Sequence, residues 1–148
     1  MKVIVSSCIL GKYCRYNGSN AINPSVIEWL KDHEAVSLCP EVLAGLGTPR
    51  PSAELNNGRV KEVTGDDVTE LYQKGVQLAM SDINESEIDL AILQSRSPTC
   101  GVNQIYNGNF DGQLIEGQGI FAQYLISKGI RVIDVADFDR MILKHHLE

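Results

Sequence analysis

Lys2-Val3-Ile4-Val5-Ser6-Ser7-Cys8 is the stretch whose reading decides the fold. Three consecutive β-branched apolar residues give way at once to two serines and a cysteine. A short apolar run without alternation is what a strand covered on both faces looks like, as in a parallel sheet. Three later runs have the same character: Ala35 to Leu38, Ile88 to Leu93, and Arg131 to Val135. The first three are each followed by a cysteine. Cys8 lies just past the first run, Cys39 closes the second, and Cys100 sits in the loop after the third.

Helical patterns fill the gaps. Asn23-Pro24 offers a cap and a proline at the first helical position, before an apolar face of Val26, Ile27 and Leu30 with Trp29 beside it. Between Asp67 and Ile83, apolar residues recur at helical spacing (Val68, Leu71, Tyr72, Val76, Ala79, Ile83). Ile120, Phe121, Tyr124 and Leu125 mark a third helix stopped by Gly129, and Phe138, Met141 and Ile142 a fourth with Asp137 as its cap. The alternation predicts a single α/β domain over residues 1–148, a three-layer Rossmann-like sandwich with a mostly parallel sheet. Gly45 to Val63, with Pro49 and Pro51, reads as a long functional loop containing a small hairpin, and Tyr106 to Glu116 as a second hairpin insertion. Leu147-Glu148 reads as the scar of an expression tag, so no site is built on His145 and His146.

The chain has 148 residues and a formal net charge of −6, without runs of like charge. No basic stripe is present, so no nucleic-acid partner is expected. No stretch of about 18 apolar residues occurs, so no membrane span is expected. The opening strand is too short for the apolar core of a signal peptide, which predicts a cytoplasmic protein. In that compartment the four cysteines argue against structural disulfides. They form no Cys-x-x-Cys pair, which weakens a thioredoxin-like motif and a zinc ribbon alike.

Topology supplies what spacing does not. In an open parallel sheet the carboxyl ends of all strands share one edge, and ligands bind there where the strand order reverses. Cys8, Cys39 and Cys100 are therefore expected to meet. Any one cysteine is most simply a small buried hydrophobe, but three at successive strand ends point to a metal or cluster. Zinc would need a fourth ligand, which Cys14 could supply; His33 lies towards the opposite edge. An iron–sulfur cluster is also held by thiolates, and with three protein ligands one iron stays open.

The blocks Ser7-Cys8-Ile9-Leu10-Gly11, Arg15-Tyr16-Asn17-Gly18, Cys39-Pro40-Glu41-Val42-Leu43-Ala44-Gly45-Leu46, Pro49-Arg50, Asp67-Val68-Thr69, Ser97-Pro98-Thr99-Cys100-Gly101 and Ile105-Tyr106-Asn107-Gly108 follow one another in order. Taken together they resemble the bacterial and archaeal family labelled domain of unknown function 523, whose characterised members are thiouracil desulfurases. The resemblance runs from about residue 3 to about residue 135. It implies a [4Fe-4S] cluster held by Cys8, Cys39 and Cys100, oxygen-sensitive through its open iron, with Cys14 outside the ligand set. It further implies that Glu41 and Ser97 handle protons during hydrolytic removal of sulfur. Asn17, Thr99 and Ile9 stand where Asp, Ser and Leu are common, and none of them is a ligand.

The residue types suit that chemistry. Thiocarbonyl hydrolysis needs a thiophilic Lewis acid, an activated water and proton traffic, without obligatory electron transfer. Glu41 is the candidate general base; Ser97 is too weak a base and reads as a relay. Tyr16 and Tyr106 are candidates to stack on a flat ring, and Arg50 to steer a carbonyl or anion, with surface solvation as its bland alternative. The expected ligand is a small thiolated pyrimidine or related thioamide. The competing readings are a non-catalytic zinc or cluster domain using all four cysteines, and a thiol redox sensor pairing Cys8 with Cys39.

Overall fold

The computed structural model describes residues 1–143. The expectations for His145, His146 and the Leu147-Glu148 scar lie outside the described residues. In chain order the elements are β1 (Lys2–Ser6), α1 (Pro24–Leu30), β2 (Glu34–Leu38), α2 (Pro40–Leu43), β3 (Ala53–Asn56), β4 (Arg59–Glu62), α3 (Thr69–Met80), β5 (Leu90–Leu93), β6 (Gln104–Tyr106), β7 (Leu114–Glu116), α4 (Ile120–Ser127), β8 (Val132–Asp134) and α5 (Phe138–Leu143). Short 3-10 turns occupy Ser7–Leu10, Glu85–Glu87 and Val135–Asp137.

Four strands form one sheet in the order β2-β1-β5-β8, and every pairing in it is parallel. Side chains alternate across it as the pleat requires. Ile4, Ala91 and Leu93 pack with Val76 and Met80 of α3 and Phe121 and Leu125 of α4. Val3, Val5, Leu90 and Ile92 pack on the opposite face with Val26 and Leu30 of α1 and Phe138 of α5. Both faces are covered, so the central strands are apolar throughout. Full burial of a side chain such as Phe121 is worth about 1.5–3 kcal/mol. The two insertions are antiparallel hairpins, β3–β4 and β6–β7, as the turn residues indicated.

Local chemistry explains most of the boundaries. Asn23 Oδ1 accepts from the Val26 amide at 3.1 Å and starts α1. Asp67 Oδ1 accepts from the Thr69 amide at 3.0 Å and its hydroxyl at 2.7 Å, so α3 begins at Thr69 rather than Asp67, and it ends at Met80. The run from Ile88 becomes a strand only at Leu90, because Ile88 closes a 3-10 turn capped by Asn84. Asp137 does not cap the last helix. Asp134 Oδ1 accepts from the Ala136 amide and starts the 3-10 turn that leads into α5, while Asp137 binds Asn103 and Arg140 instead. The four-residue helix α2 was not anticipated, since one turn is too short to show a period. It is seated closely on α3: a Cβ at Gly75 would lie 2.1 Å from the Pro40 carbonyl oxygen.

The order β2-β1-β5 places the reversal of the sheet between β1 and β5. The loops leaving β1, β2 and β5 therefore open onto one crevice.

Candidate active site

Each loop of that crevice is fastened by its own means. After β1, the Cys8 carbonyl accepts from Gly11 and Ala21, which folds residues 11–21 back over the edge. Cys39 stands at the N-terminus of α2 in an extended conformation. After β5, Ser97 Oγ accepts from the amides of Thr99 at 2.9 Å and Cys100 at 3.0 Å. The same loop plugs the start of α4: Gly119, Ile120 and Phe121 donate their amides to the carbonyls of Gly101, Pro98 and Thr99. Gly119 has no room for a side chain there, since a Cβ would come within 2.4 Å of the Thr99 backbone. The amides of Gly117 and Gly119 are thus spent on the carbonyls of Asn103 and Gly101.

Cys8, Cys14, Cys39 and Cys100 all line a single cavity of about 440 Å³, together with Glu41, Ser97, Tyr16, Arg50 and Tyr106. All four cysteines are free. Cys14 makes contact with both Cys39 and Cys8, and Cys39 Sγ lies 4.0 Å from the Cys14 carbonyl oxygen. The contact with Cys14 and then burial push the Cys39 thiol far up. Burial pushes Cys100 up to about 12, against a hydrogen bond with Ser6 that lowers it. These are neutral thiols, and such thiols would have to give up a proton to ligate a metal.

Among the described residues no three His, Cys, Asp or Glu side chains are gathered closely enough to hold a single metal ion. A polynuclear cluster is wider than an ion and takes its thiolates further apart. Three soft donors from three loops around one roomy cavity fit such a group. His33 stacks on Trp29 and binds the Met1 amine, remote from the cavity lining.

Glu41 is tethered on both of its carboxylate oxygens. Its Oε1 lies 3.0 Å from Arg50 Nη2 in an ion pair and accepts from Arg50 Nε at 3.1 Å and the Tyr72 hydroxyl at 3.3 Å. Its Oε2 accepts from the Thr99 hydroxyl at 2.8 Å. Arg50 also donates to the carbonyls of Cys14 at 2.9 Å and Gly47 at 3.2 Å. Its side chain is 5% exposed, so solvation at the surface is not its role. Tyr72 is held protonated by burial and by the Glu41 charge beside it. Tyr16 sits at the exposed rim and Tyr106 at the end of β6.

Thr99, Tyr72 and Gln94 are the participants that sequence reading passed over. Thr99 and Tyr72 carry no signal because their partner Glu41 is 58 and 31 residues away. Gln94, at the end of β5, also lines the cavity. Its Oε1 is the one buried side-chain nitrogen or oxygen among the described residues with no hydrogen-bond partner. Such an orphan costs about 1–3 kcal/mol, and it marks a cavity wall waiting for a polar occupant.

The profile of the 2-thiouracil desulfurase family matches residues 3–137. The uncharacterised protein YbbK of Bacillus subtilis (strain 168) is 42% identical, over 88% of this chain and 93% of its own. Among solved structures, the [4Fe-4S]-dependent thiouracil desulfidase TudS superposes with a TM-score of 0.87 at 35% identity, covering 99% of both chains. No helix among the described residues is long and apolar enough to cross a membrane.

Proposed function

The chain belongs to the 2-thiouracil desulfurase family, and from that membership we propose that it hydrolyses a thiocarbonyl such as that of thiouracil, using a [4Fe-4S] cluster held by Cys8, Cys39 and Cys100. The observation that carries the reading is the meeting of these three cysteines with Glu41 and Ser97 in one cavity at the reversal of a parallel sheet. When bound, such a cluster supplies a thiophilic Lewis acid with one iron free of protein ligands. TudS is described as dependent on that cofactor, which supports the same assignment here. Four free cysteines accord with a reducing cytoplasm.

The remaining work falls to the side chains. The net change is C=S plus water giving C=O plus hydrogen sulfide, with no electron gained or lost. Glu41 is the general base. Arg50 and Tyr72 occupy its Oε1, whereas Oε2 keeps a lone pair beside Thr99 for the proton of the attacking water. Arg50 acts as a positioning residue for that carboxylate, since its donors are engaged by Glu41, Gly47 and Cys14. Ser97 Oγ already accepts two amides, so its hydroxyl serves as a donor to the substrate or the departing sulfur and not as a base. Tyr16 and Tyr106 flank the opening, where a pyrimidine ring has a flat face to stack. A thiolated pyrimidine or a related thioamide is the substrate class.

Anaerobic reconstitution with iron and sulfide, followed by a thiouracil-to-uracil assay, tests the proposal. About four irons per chain are expected. Cys8→Ala, Cys39→Ala and Cys100→Ala should each lose iron and turnover, while Cys14→Ser keeps both. Iron binding abolished by Cys14→Ser would favour the four-cysteine domain instead, and a reversible disulfide without bound metal would favour the redox sensor.

A further inference from the structure

We infer that Gln94 is a specificity-determining residue that reads the ring N–H beside the thiocarbonyl, an inference that rests on the desulfurase reading. Gln94 ends β5, where its backbone amide donates to Ser6 Oγ at 3.0 Å. The main chain is therefore pinned at the reversal of the sheet, between the segments that carry Cys8 and Cys100. The side chain is different. Its Oε1 is buried without a partner, and its Nε2 makes no hydrogen bond to any described residue. Nothing holds the amide in the wall, and the terminal torsion of a glutamine is broad. A ligand that supplies a donor draws Oε1 into the cavity and relieves the orphan.

The chemistry of the substrate class names that donor. In a thiouracil, a ring N–H lies next to the C=S and is followed by a C=O. A carboxamide presents one acceptor and one donor side by side and pairs with such an N–H/C=O edge through two hydrogen bonds, as glutamine does with the edge of adenine. For a 2-thio or a 4-thio isomer alike, the shared N–H and the carbonyl beyond it face Gln94, and the sulfur points away from it. The other polar groups of the lining are less suited. Glu41 is saturated on Oε1, Ser97 has spent both lone pairs on amides, and Glu54 Oε1 accepts from the amides of Gly108 and Phe110.

Titration calorimetry of the reconstituted holoprotein with uracil and with 3-methyluracil tests the assignment, beside turnover of 4-thiouracil and its 3-methyl derivative. The wild type should bind uracil about tenfold more tightly than 3-methyluracil, one hydrogen bond being worth that order. Gln94→Met should bring the ratio close to one by weakening uracil alone. Its kcat/KM on 4-thiouracil should fall about tenfold, carried by KM, the mark of uniform binding. Its thermal midpoint should not fall, because an apolar group replaces an unsatisfied one. Gln94→Glu, which keeps the acceptor for the ring N–H, should retain the ratio. Equal wild-type affinities, absence of uracil binding, or an unchanged ratio in Gln94→Met would overturn the assignment. If uracil binds with the expected discrimination but thiouracil is not turned over, the desulfurase reading falls and the role of Gln94 stands.

Discussion

Two arginines in this molecule grip carboxylates at the same 3.0 Å, and they do different things. Arg59 meets Asp67 with side chains 49% and 33% exposed, while Arg50 meets Glu41 at 5% and 13%. The outer pair sits in water, where attraction is screened and little stability results. The inner pair has lost its hydration, and each partner is the other's replacement for solvent. The outer carboxylate ends a hairpin and starts α3. The inner one is surrounded by Arg50, Tyr72 and Thr99 at the edge of the cavity. Equal distance therefore conceals unequal consequence, and burial decides which pair shapes the cavity.

Breaking the inner pair should have the largest effect. Arg50→Met leaves Glu41 as an uncompensated buried charge, and a loss of about 3–5 kcal/mol in denaturant unfolding is expected. Turnover should fall about 100-fold as the carboxylate shifts. An unfolding midpoint equal to that of the wild type would deny the contrast. Thr99→Val comes next. It removes the one donor to Glu41 Oε2, for about 1.5–3 kcal/mol, and Thr99→Ser should restore both stability and kcat. Tyr72→Phe removes a longer contact at 3.3 Å and should cost about 0.5–1.5 kcal/mol.

The outer pair should yield the smallest change. Arg59→Met should move the thermal midpoint least of the four, and the difference should vanish in molar salt. A pH titration sharpens the point. Arg59 first, then Thr69, hold the Asp67 carboxyl well below the usual range. A depressed folded pKa contributes stability that is complete above the unfolded value of about 3.9 and is lost as the pH falls through the folded one. The acid limb of the stability curve should therefore flatten in Arg59→Met.

How much of this was legible depends on reach along the chain. Val3 to Val5 and Ile88 to Leu93 declared a two-sided sheet by composition, and a cysteine after each run declared its edge. Asn23-Pro24 declared a helix start because cap and helix are adjacent. Glu41 was visible as a carboxylate beside Cys39, yet its partners were not, because folding brings Thr99 and Tyr72 to it from distant loops. Arg50 between two prolines could be read equally as steering a ligand or as solvated at the surface, and only packing showed it buried. Ser97 stood out beside Cys100 as a relay candidate, but the two amides held by its oxygen became visible only in the fold. Gln94 gave no signal at all, since an orphaned atom is defined by what fails to surround it.

Arg50 has one more implication, which concerns biogenesis. A guanidinium keeps its charge at any physiological pH, and this one laces together the Cys14 segment, the Gly47 segment and the turn that follows Cys39 without using a thiol. The contacts of Arg50 thus shape the vessel through nitrogen and oxygen, and none of them uses a sulfur. On the proposed reading, cofactor delivery would be a late step into a finished receptacle, and damage by oxygen a matter of refilling, not of refolding.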